Sequence, residues 1–365
     1  MNRPIAIAAG GTGGHLFPAE ALATELLARG HRIVLFTDAR STAFVSTAFA
    51  EAERFVLRGE GMAGRGIRRA LRGGVQLLAG TWQARRILKR IDAAAVVGFG
   101  GYPAIPPALA AFSLGGRRPK VVLHEQNGVL GRANRLLAPR ADALALSFAH
   151  TSRVPANARV HVVGNPVRQA IVELASQPYP APDVGLRILV LGGSLGARVF
   201  SDLVPGAVAA LPPELRARLM ITQQVRPEDI DKVRAAYQMM GVPAELSSFF
   251  PDVARRLAGS HLVISRAGAS SIAELACSGR PSLLVPLPGA IDDHQMANAR
   301  VLADAGAARI LPQAGLTPEG LAAEITAFLH FPARLEAAHQ AAASLARPGA
   351  VKELADLVLN LIGTP

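Results

Sequence analysis

The sequence predicts an α/β protein made of two successive doubly wound parallel-sheet units. Three observations carry this expectation. Short apolar runs alternate with helix-periodic segments along the 365 residues, which is the pattern of buried parallel strands joined by crossover helices. The chain opens with a strand that runs into a glycine turn, Ile5–Ala9 and then Gly10-Gly11-Thr12-Gly13-Gly14. The same device recurs at Leu186–Leu191 and Gly192-Gly193-Ser194-Leu195-Gly196, after a proline-rich stretch. A boundary near 164–184 therefore divides the chain. The architecture is duplicated, but no sequence repeat has a fixed period.

Each element follows from its own signals. Ile5–Ala9 reads as a first strand, not a signal peptide, because glycines follow at once. Pro18–Arg29 has helical periodicity at Leu22, Leu26 and Leu27, with Pro18 in its first turn and Gly30 as a C-cap. Arg32–Thr37, Ala94–Gly98, Lys120–His124 and Ala143–Ser147 read as further strands. Residues 93–116 carry no charge, yet Gly100-Gly101-Tyr102-Pro103 interrupts them. A membrane-spanning helix needs about 20 continuous residues. The stretch is read as a strand, a glycine loop and a buried helix after Pro106, and no transmembrane helix is expected. In the second unit, Met220–Gln223, Glu245–Phe249, Leu262–Ile264 and Ser282–Val285 follow as strands, and Val351–Ile362 as a last helix.

Composition narrows the function. The net charge is +12, and it is one-sided: residues 1–166 hold 22 basic and 9 acidic side chains, the remainder 17 and 18. A one-sided field points to an anionic partner of the first half, whether nucleic acid, a phosphate-bearing substrate or a membrane surface. The single cysteine, Cys277, rules out an intramolecular disulfide or a cysteine-clustered zinc site and fits a reducing cytoplasm.

The motifs sit at strand ends. Backbone N–H groups of Gly10–Gly14 can face an anion. A dinucleotide fingerprint read from Gly11 fails because its third glycine falls on Leu16, although Asp38 ends the second strand as an NAD site would ask. No Gly-Lys-Ser/Thr follows, which excludes a Walker loop. His15 beside the loop suits a general base near neutral pH or a helix-capping donor. Arg266-Ala267-Gly268-Ala269-Ser270-Ser271 opens a helix with small residues and hydroxyls that can receive a pyrophosphate. Glu274, one turn on, would repel phosphate; it reads as a ribose-diol ligand or a solvated glutamate. Asp292-Asp293 has no further groups to complete a metal set, and the loop through Gln295 suits a sugar.

Together these residues resemble the MurG family, the bacterial UDP-N-acetylglucosamine–N-acetylmuramyl-(pentapeptide) pyrophosphoryl-undecaprenol N-acetylglucosamine transferases. The match runs over nearly the whole chain through Gly10–His15, Gly100-Gly101-Tyr102, His124-Glu125-Gln126-Asn127-Gly128, Gly164–Arg168, Gly192–Ala197, Arg266–Glu274 and Asp293–Ala299. The resemblance implies the GT-B fold, two Rossmann-like doubly wound domains facing a cleft. Residues 1–166 would bind acceptor and membrane, with the C-terminal helix 347–365 packing back onto them. Residues 167–346 would bind the UDP-sugar donor. Thr12, Gly13, Gly14 and Asn127 would line the donor-sugar side, and His15 would be the base. Arg168 and Ser194 would contact the nucleotide, with the Phe250 backbone at the uracil edge. Ala269, Ser270, Ser271 and Ile272 would hold the diphosphate, with Ala273 also among the substrate-binding residues and Glu274 on the ribose. Gln295 would contact sugar hydroxyls. His294 stands where the family often has Gln, and Ser270 where it often has Thr.

The implied reaction is inverting transfer of N-acetylglucosamine to the 4-hydroxyl of a lipid-linked muramyl pentapeptide, lipid I to lipid II, by a hexosyltransferase of peptidoglycan synthesis. No cofactor or metal is expected, since helix termini can carry the leaving-group charge. The implied setting is peripheral, on the cytoplasmic face of the bacterial inner membrane, with other wall-synthesis and division proteins as partners and no nucleic acid. Residues 58–90 concentrate the charge, with nine basic side chains and one acidic. Ile67, Leu71, Val75, Leu78 and Trp82 form one helical stripe flanked by Arg68, Arg69, Arg72, Arg85 and Arg86. The stripe faces either a membrane or the core, and Gly73-Gly74 argues against one continuous helix. Three other functions fit the bare residues: another sugar-nucleotide enzyme on this fold, such as a diacylglycerol glycosyltransferase or a UDP-sugar epimerase; a nucleic-acid binder, disfavoured by 5% aromatic content; and a non-catalytic nucleotide-sugar sensor.

Overall fold

The computed structural model describes residues 3–11, 13–41, 48–50, 52–57, 67–180, 185–193 and 196–363, without the side chains of 40 and 67–72. Thr12, Ser194, Arg58 and Arg65 lie outside the described residues, as do the side chains of Ile67, Arg68, Arg69, Leu71 and Arg72. The chain divides into two units, Met1–Arg168 with Gly349–Pro365, and Gln169–Pro348.

In the first unit, β1 (Ile5–Ala8), β2 (Ile33–Thr37), β3 (Glu53–Val56), β4 (Ala95–Gly98), β5 (Lys120–Glu125), β6 (Ala143–Leu146) and β7 (Val160–Val162) form one parallel sheet in the order β3-β2-β1-β4-β5-β6-β7. The register sets Ile5 against Ile33 on one side and Ala95 on the other. Helices α1 (Gly13–Ala28), α2 (Ile67–Arg90), α3 (Gly101–Phe112) and α4 (Arg132–Leu137) accompany the sheet. Alternate residues of β1 serve two cores. Ile5 and Ile7 join Leu22 and Leu26 of α1 on one face, while Ala6 and Ala8 join Val34, Phe36, Leu88 and Ala108 on the other. This two-sided burial is why the central strands read as continuous apolar runs.

The second unit repeats the arrangement with β8 (Leu186–Leu191), β9 (Leu219–Gln224), β10 (Ala244–Ser247), β11 (Leu262–Ser265), β12 (Ser282–Leu284) and β13 (Ala308–Ile310). They form a parallel sheet in the order β10-β9-β8-β11-β12-β13. Its helices are α5 (Gln169–Val172), α6 (Arg198–Ala210), α7 (Pro213–Arg216), α8 (Ile230–Met239), α9 (Val253–Gly259), α10 (Ala269–Cys277), α11 (His294–Asp304), α12 (Pro318–Leu329) and α13 (Pro332–Ser344). The last helix, α14 (Ala350–Ile362), belongs to the first unit and packs on α1. It buries Leu354, Val358 and Leu359 in the core containing Ile5, each contributing about 1.5–3 kcal/mol relative to exposure. Arg29, just past the end of α1, also pairs with Asp356.

Three local expectations are corrected. Helix α1 begins at Gly13, so Gly13, Gly14 and His15 are its first turn and Pro18 lies further in. Helix α3 begins at Gly101, not after Pro106. Gly100 takes φ +83° as its N-cap, and Pro103 falls in the first turn, where a missing N–H costs nothing. Gly73-Gly74 does not interrupt α2, which is continuous from Ile67 to Arg90. Gly73, Gly80, Ala84 and Leu88 are on its buried side and α2 packs on α3, so small residues allow close approach there. The large apolar residues are on the outside: Val75, Leu78 and Trp82 are 66, 73 and 61% exposed. The core-facing alternative for that stripe therefore fails for the three described members.

Candidate active site

Both sheets reverse strand order once, between β1 and β4 and between β8 and β11. In open α/β sheets, ligands bind outside the carboxyl ends of the strands at such a switch point. Most of the candidate residues follow these strands or their neighbours.

At the first switch point the loop after β1 is held by polar contacts. Gly11, at φ +88°, donates its N–H to Ser41 Oγ at 2.7 Å, and Ser41 Oγ bonds Asp38 at 2.6 Å. The buried Asp38 carboxylate also accepts the Ser41 N–H. Asp38 thus organises this loop, which accounts for its position without a dinucleotide ribose. A Cβ on Gly10 would lie 2.8 Å from Pro103 Cγ, so the turn requires glycine.

His15 is half-buried in the first turn of α1. Its Nδ1 lies 3.1 Å from Gln126 Oε1. Gln126 Nε2 lies 3.0 Å from His124 Nδ1, and His124 Nε2 lies 3.0 Å from the Gly164 carbonyl oxygen. The His124 ring is wholly buried beside Phe99, and desolvation pulls its pKa down to about 4. Gly100 and Gly101, at φ +83° and +66°, bring backbone alongside the His15 ring.

Glu125 organises the adjoining loop. Its buried carboxylate accepts from the Asn127 N–H (3.0 Å), Asn127 Nδ2 (3.1 Å), the Gly131 N–H (2.8 Å) and Asn134 Nδ2 (2.9 Å). Asn127 is thereby fixed in orientation. His124, Glu125 and Gln126 stand in a motif of the sequence without a role assigned to them there, and Asn134 lies outside that motif. The available signal was three consecutive polar residues at the end of a buried strand, which must find partners. Arg168 places its guanidinium 5.2 Å from the centre of the Phe17 ring, within the first unit.

The second switch point is built mainly from backbone. A Cβ on Gly192 would meet the Ala197 nitrogen at 2.2 Å, and Gly193 and Gly196 have φ +86° and +69°. The Gly192 N–H is held by Gln224 Oε1 at 3.0 Å. Helix α10 starts after Gly268, which provides no side-chain cap, so the N–H groups of its first turn point onward unpartnered by a cap. Ser270 Oγ is buried there with no hydrogen-bond partner among the described residues. Ser271, Ile272 and Ala273 continue the helix, and Glu274 is four residues after Ser270, on the same helical face.

The supporting contacts are specific. Gln295 Oε1 accepts from Leu287 N–H at 2.9 Å and Ala267 N–H at 3.3 Å, leaving its NH₂ as the donor end. Arg266 donates to the carbonyls of Val285 and Pro286 and to Gln313 Oε1, and burial lowers its pKa. It is a structural tie between loops. Phe250 is buried under the Arg256 guanidinium, 4.0 Å from the ring centre. His294 Nδ1 lies 2.8 Å from the Ile291 carbonyl oxygen, after Asp292 and Asp293 at φ +56° and +53°. Among the described residues, no group of three or more His, Cys, Asp or Glu side chains is placed to hold a metal ion.

Comparison with known proteins gives consistent matches. The glycosyltransferase family 28 N-terminal domain matches residues 5–146, and its C-terminal domain matches residues 187–354. A UDP-N-acetylglucosamine–N-acetylmuramyl-(pentapeptide) pyrophosphoryl-undecaprenol N-acetylglucosamine transferase of Granulibacter bethesdensis is 57% identical over 365 residues, 100% of this chain and 95% of that protein. One from Caulobacter vibrioides is 49% identical over 360 residues, covering 98 and 99% of the two chains. The crystal structure of Acinetobacter baumannii MurG superposes with a TM-score of 0.80 at 30% identity, covering 98 and 99%.

Proposed function

The chain belongs to the family of UDP-N-acetylglucosamine–N-acetylmuramyl-(pentapeptide) pyrophosphoryl-undecaprenol N-acetylglucosamine transferases, and from that premise we propose that it transfers N-acetylglucosamine from UDP-N-acetylglucosamine to lipid I, forming lipid II. The acceptor 4-hydroxyl attacks the anomeric carbon while UDP leaves from the opposite face, so the configuration inverts to a β-1,4 link. The His15 imidazole takes the hydroxyl proton, a role worth about 10²–10⁴-fold.

The observation that carries the donor half is the start of α10. A helix N-terminus without a side-chain cap, with a buried Ser270 hydroxyl that has no partner among the described residues, suits a diphosphate, whose growing charge it stabilises as UDP departs. Glu274, one turn along, suits the ribose diol, and the Gln295 NH₂ suits a sugar oxygen. Arg168 and Ser194, with the Phe250 backbone, complete the nucleotide side; Thr12, Gly13, Gly14 and Asn127 complete the sugar side. Residues 1–166 with 347–365 then serve acceptor and membrane, and residues 167–346 serve the donor.

The setting proposed is the cytoplasmic face of the inner membrane. Val75, Leu78 and Trp82 are exposed on α2, with Arg85 and Arg86 beside them and the Arg86 guanidinium 4.5 Å from the centre of the Trp82 indole. An exposed apolar stripe edged by arginines suits an anionic lipid surface. Among the described residues no helix is long and apolar enough to cross a membrane. The deciding assay is UDP release from UDP-N-acetylglucosamine with and without lipid-linked muramyl pentapeptide. Release that depends on the acceptor is expected; release that ignores it would refute the assignment.

A further inference from the structure

We propose that Gln126 and His124 are positioning residues that hold His15 in its Nδ1–H tautomer, so that Nε2 offers the lone pair to the acceptor hydroxyl. The proposal rests on His15 being the base. The chain of donors and acceptors has one unambiguous end. The Gly164 carbonyl oxygen can only accept, so His124 Nε2, 3.0 Å away, carries a hydrogen. His124 is buried and neutral at ordinary pH, so its Nδ1 is a lone pair. The Gln126 amide must present its NH₂ to that lone pair. The same NH₂ is 3.3 Å from the His124 carbonyl oxygen, which also only accepts. Two acceptors thus fix the amide orientation, and Oε1 is the end that reaches His15 Nδ1. An amide oxygen accepts only, so His15 Nδ1 carries the hydrogen and Nε2 of the neutral ring is the acceptor.

The placement follows from the fold. His124 and Gln126 are two residues apart at the end of β5, hence on one side of the extended chain. His15 comes from the first turn of α1, and Gly164, at φ +88°, from the loop after β7. Three separate segments therefore define the protonation of one ring nitrogen. The free side chain in water prefers the opposite tautomer, with hydrogen on Nε2, which would be useless as a base at that atom. Partners of this kind orient an imidazole without touching the substrate.

The test is ¹⁵N NMR of the full-length protein labelled in its nine histidines, with the His15 signals identified by their loss in His15→Gln. The wild type should show His15 with protonated Nδ1 and bare Nε2. Gln126→Leu should shift His15 toward Nε2–H and lower kcat roughly 10–100-fold, below the full value of a general base, with KM for UDP-N-acetylglucosamine unchanged. An Nε2–H tautomer in the wild type overturns the proposal, whatever the variants do. So does a Gln126→Leu protein that keeps both the Nδ1–H signature and kcat. Full turnover in His15→Ala would instead overturn the base assignment, and the wild-type tautomer would still decide the relay.

Discussion

The two switch points are built from different materials, as the different roles proposed for them would require. In the first unit, the site is a network of side chains: Asp38 holds Ser41, Glu125 holds Asn127 and Asn134, and Gln126 links two histidines. In the second, the principal features are glycines, backbone N–H groups and a helix start. Proton transfer needs a ring nitrogen in one tautomer and one direction, which only partnered side chains supply. Holding a diphosphate needs donors spread over a surface, which an uncapped helix end supplies from the backbone. The charge distribution follows this split. The near-neutral half carries the proposed anion site, while the basic excess lies in the half with the exposed stripe of α2.

The comparison can be broken at several places. The largest effect is expected from His15→Ala, which should lower kcat about 10²–10⁴-fold in steady-state assays and leave KM for UDP-N-acetylglucosamine unchanged. Next is the acid sensitivity of the first unit. His124 is held near pKa 4, against about 6.5 when unfolded. Between those values the unfolded chain binds the proton and the folded chain does not, so stability falls as pH drops from about 6.5 to about 4, by up to a few kcal/mol. Urea unfolding across that range should show this slope, and His124→Gln should flatten it. Gly192→Ala forces a Cβ against the Ala197 nitrogen, and overpacking of this kind costs about 1–3 kcal/mol; thermal unfolding should report it in the second unit. The smallest effect is at α2, where Arg86→Ala should weaken binding to phosphatidylserine vesicles by about 1 kcal/mol, roughly fivefold, with a smaller loss at high salt.

Much of the fold was legible because its central strands are largely buried and several of them run into glycine turns. The edge strands of the first sheet were not. Glu53–Val56 and Val160–Val162 are half-exposed to exposed and carry no continuous apolar run. The start of α3 was obscured because Gly100-Gly101-Tyr102-Pro103 reads as a break, whereas the glycine is an N-cap and the proline occupies the first turn. The stripe of α2 was visible, but periodicity does not say which way a stripe faces. That depends on the small residues Gly73, Gly80 and Ala84 taking the inner side. At the site, His15, Asn127 and Glu274 were legible as residue types in motifs. The partners of His15 were not, because Gln126 is 111 positions away and only the sheet order β1-β4-β5 brings the end of β5 near the segment after β1.

The division of labour is tested most directly by calorimetric titration of UDP-N-acetylglucosamine into the wild type, His15→Ala and Glu274→Ala. The account predicts wild-type affinity for His15→Ala. For Glu274→Ala it predicts a loss of about 1.5–3 kcal/mol, roughly 10–100-fold, the range of a hydrogen bond to a charged group. Equal weakening by both substitutions, or none at Glu274, would contradict it.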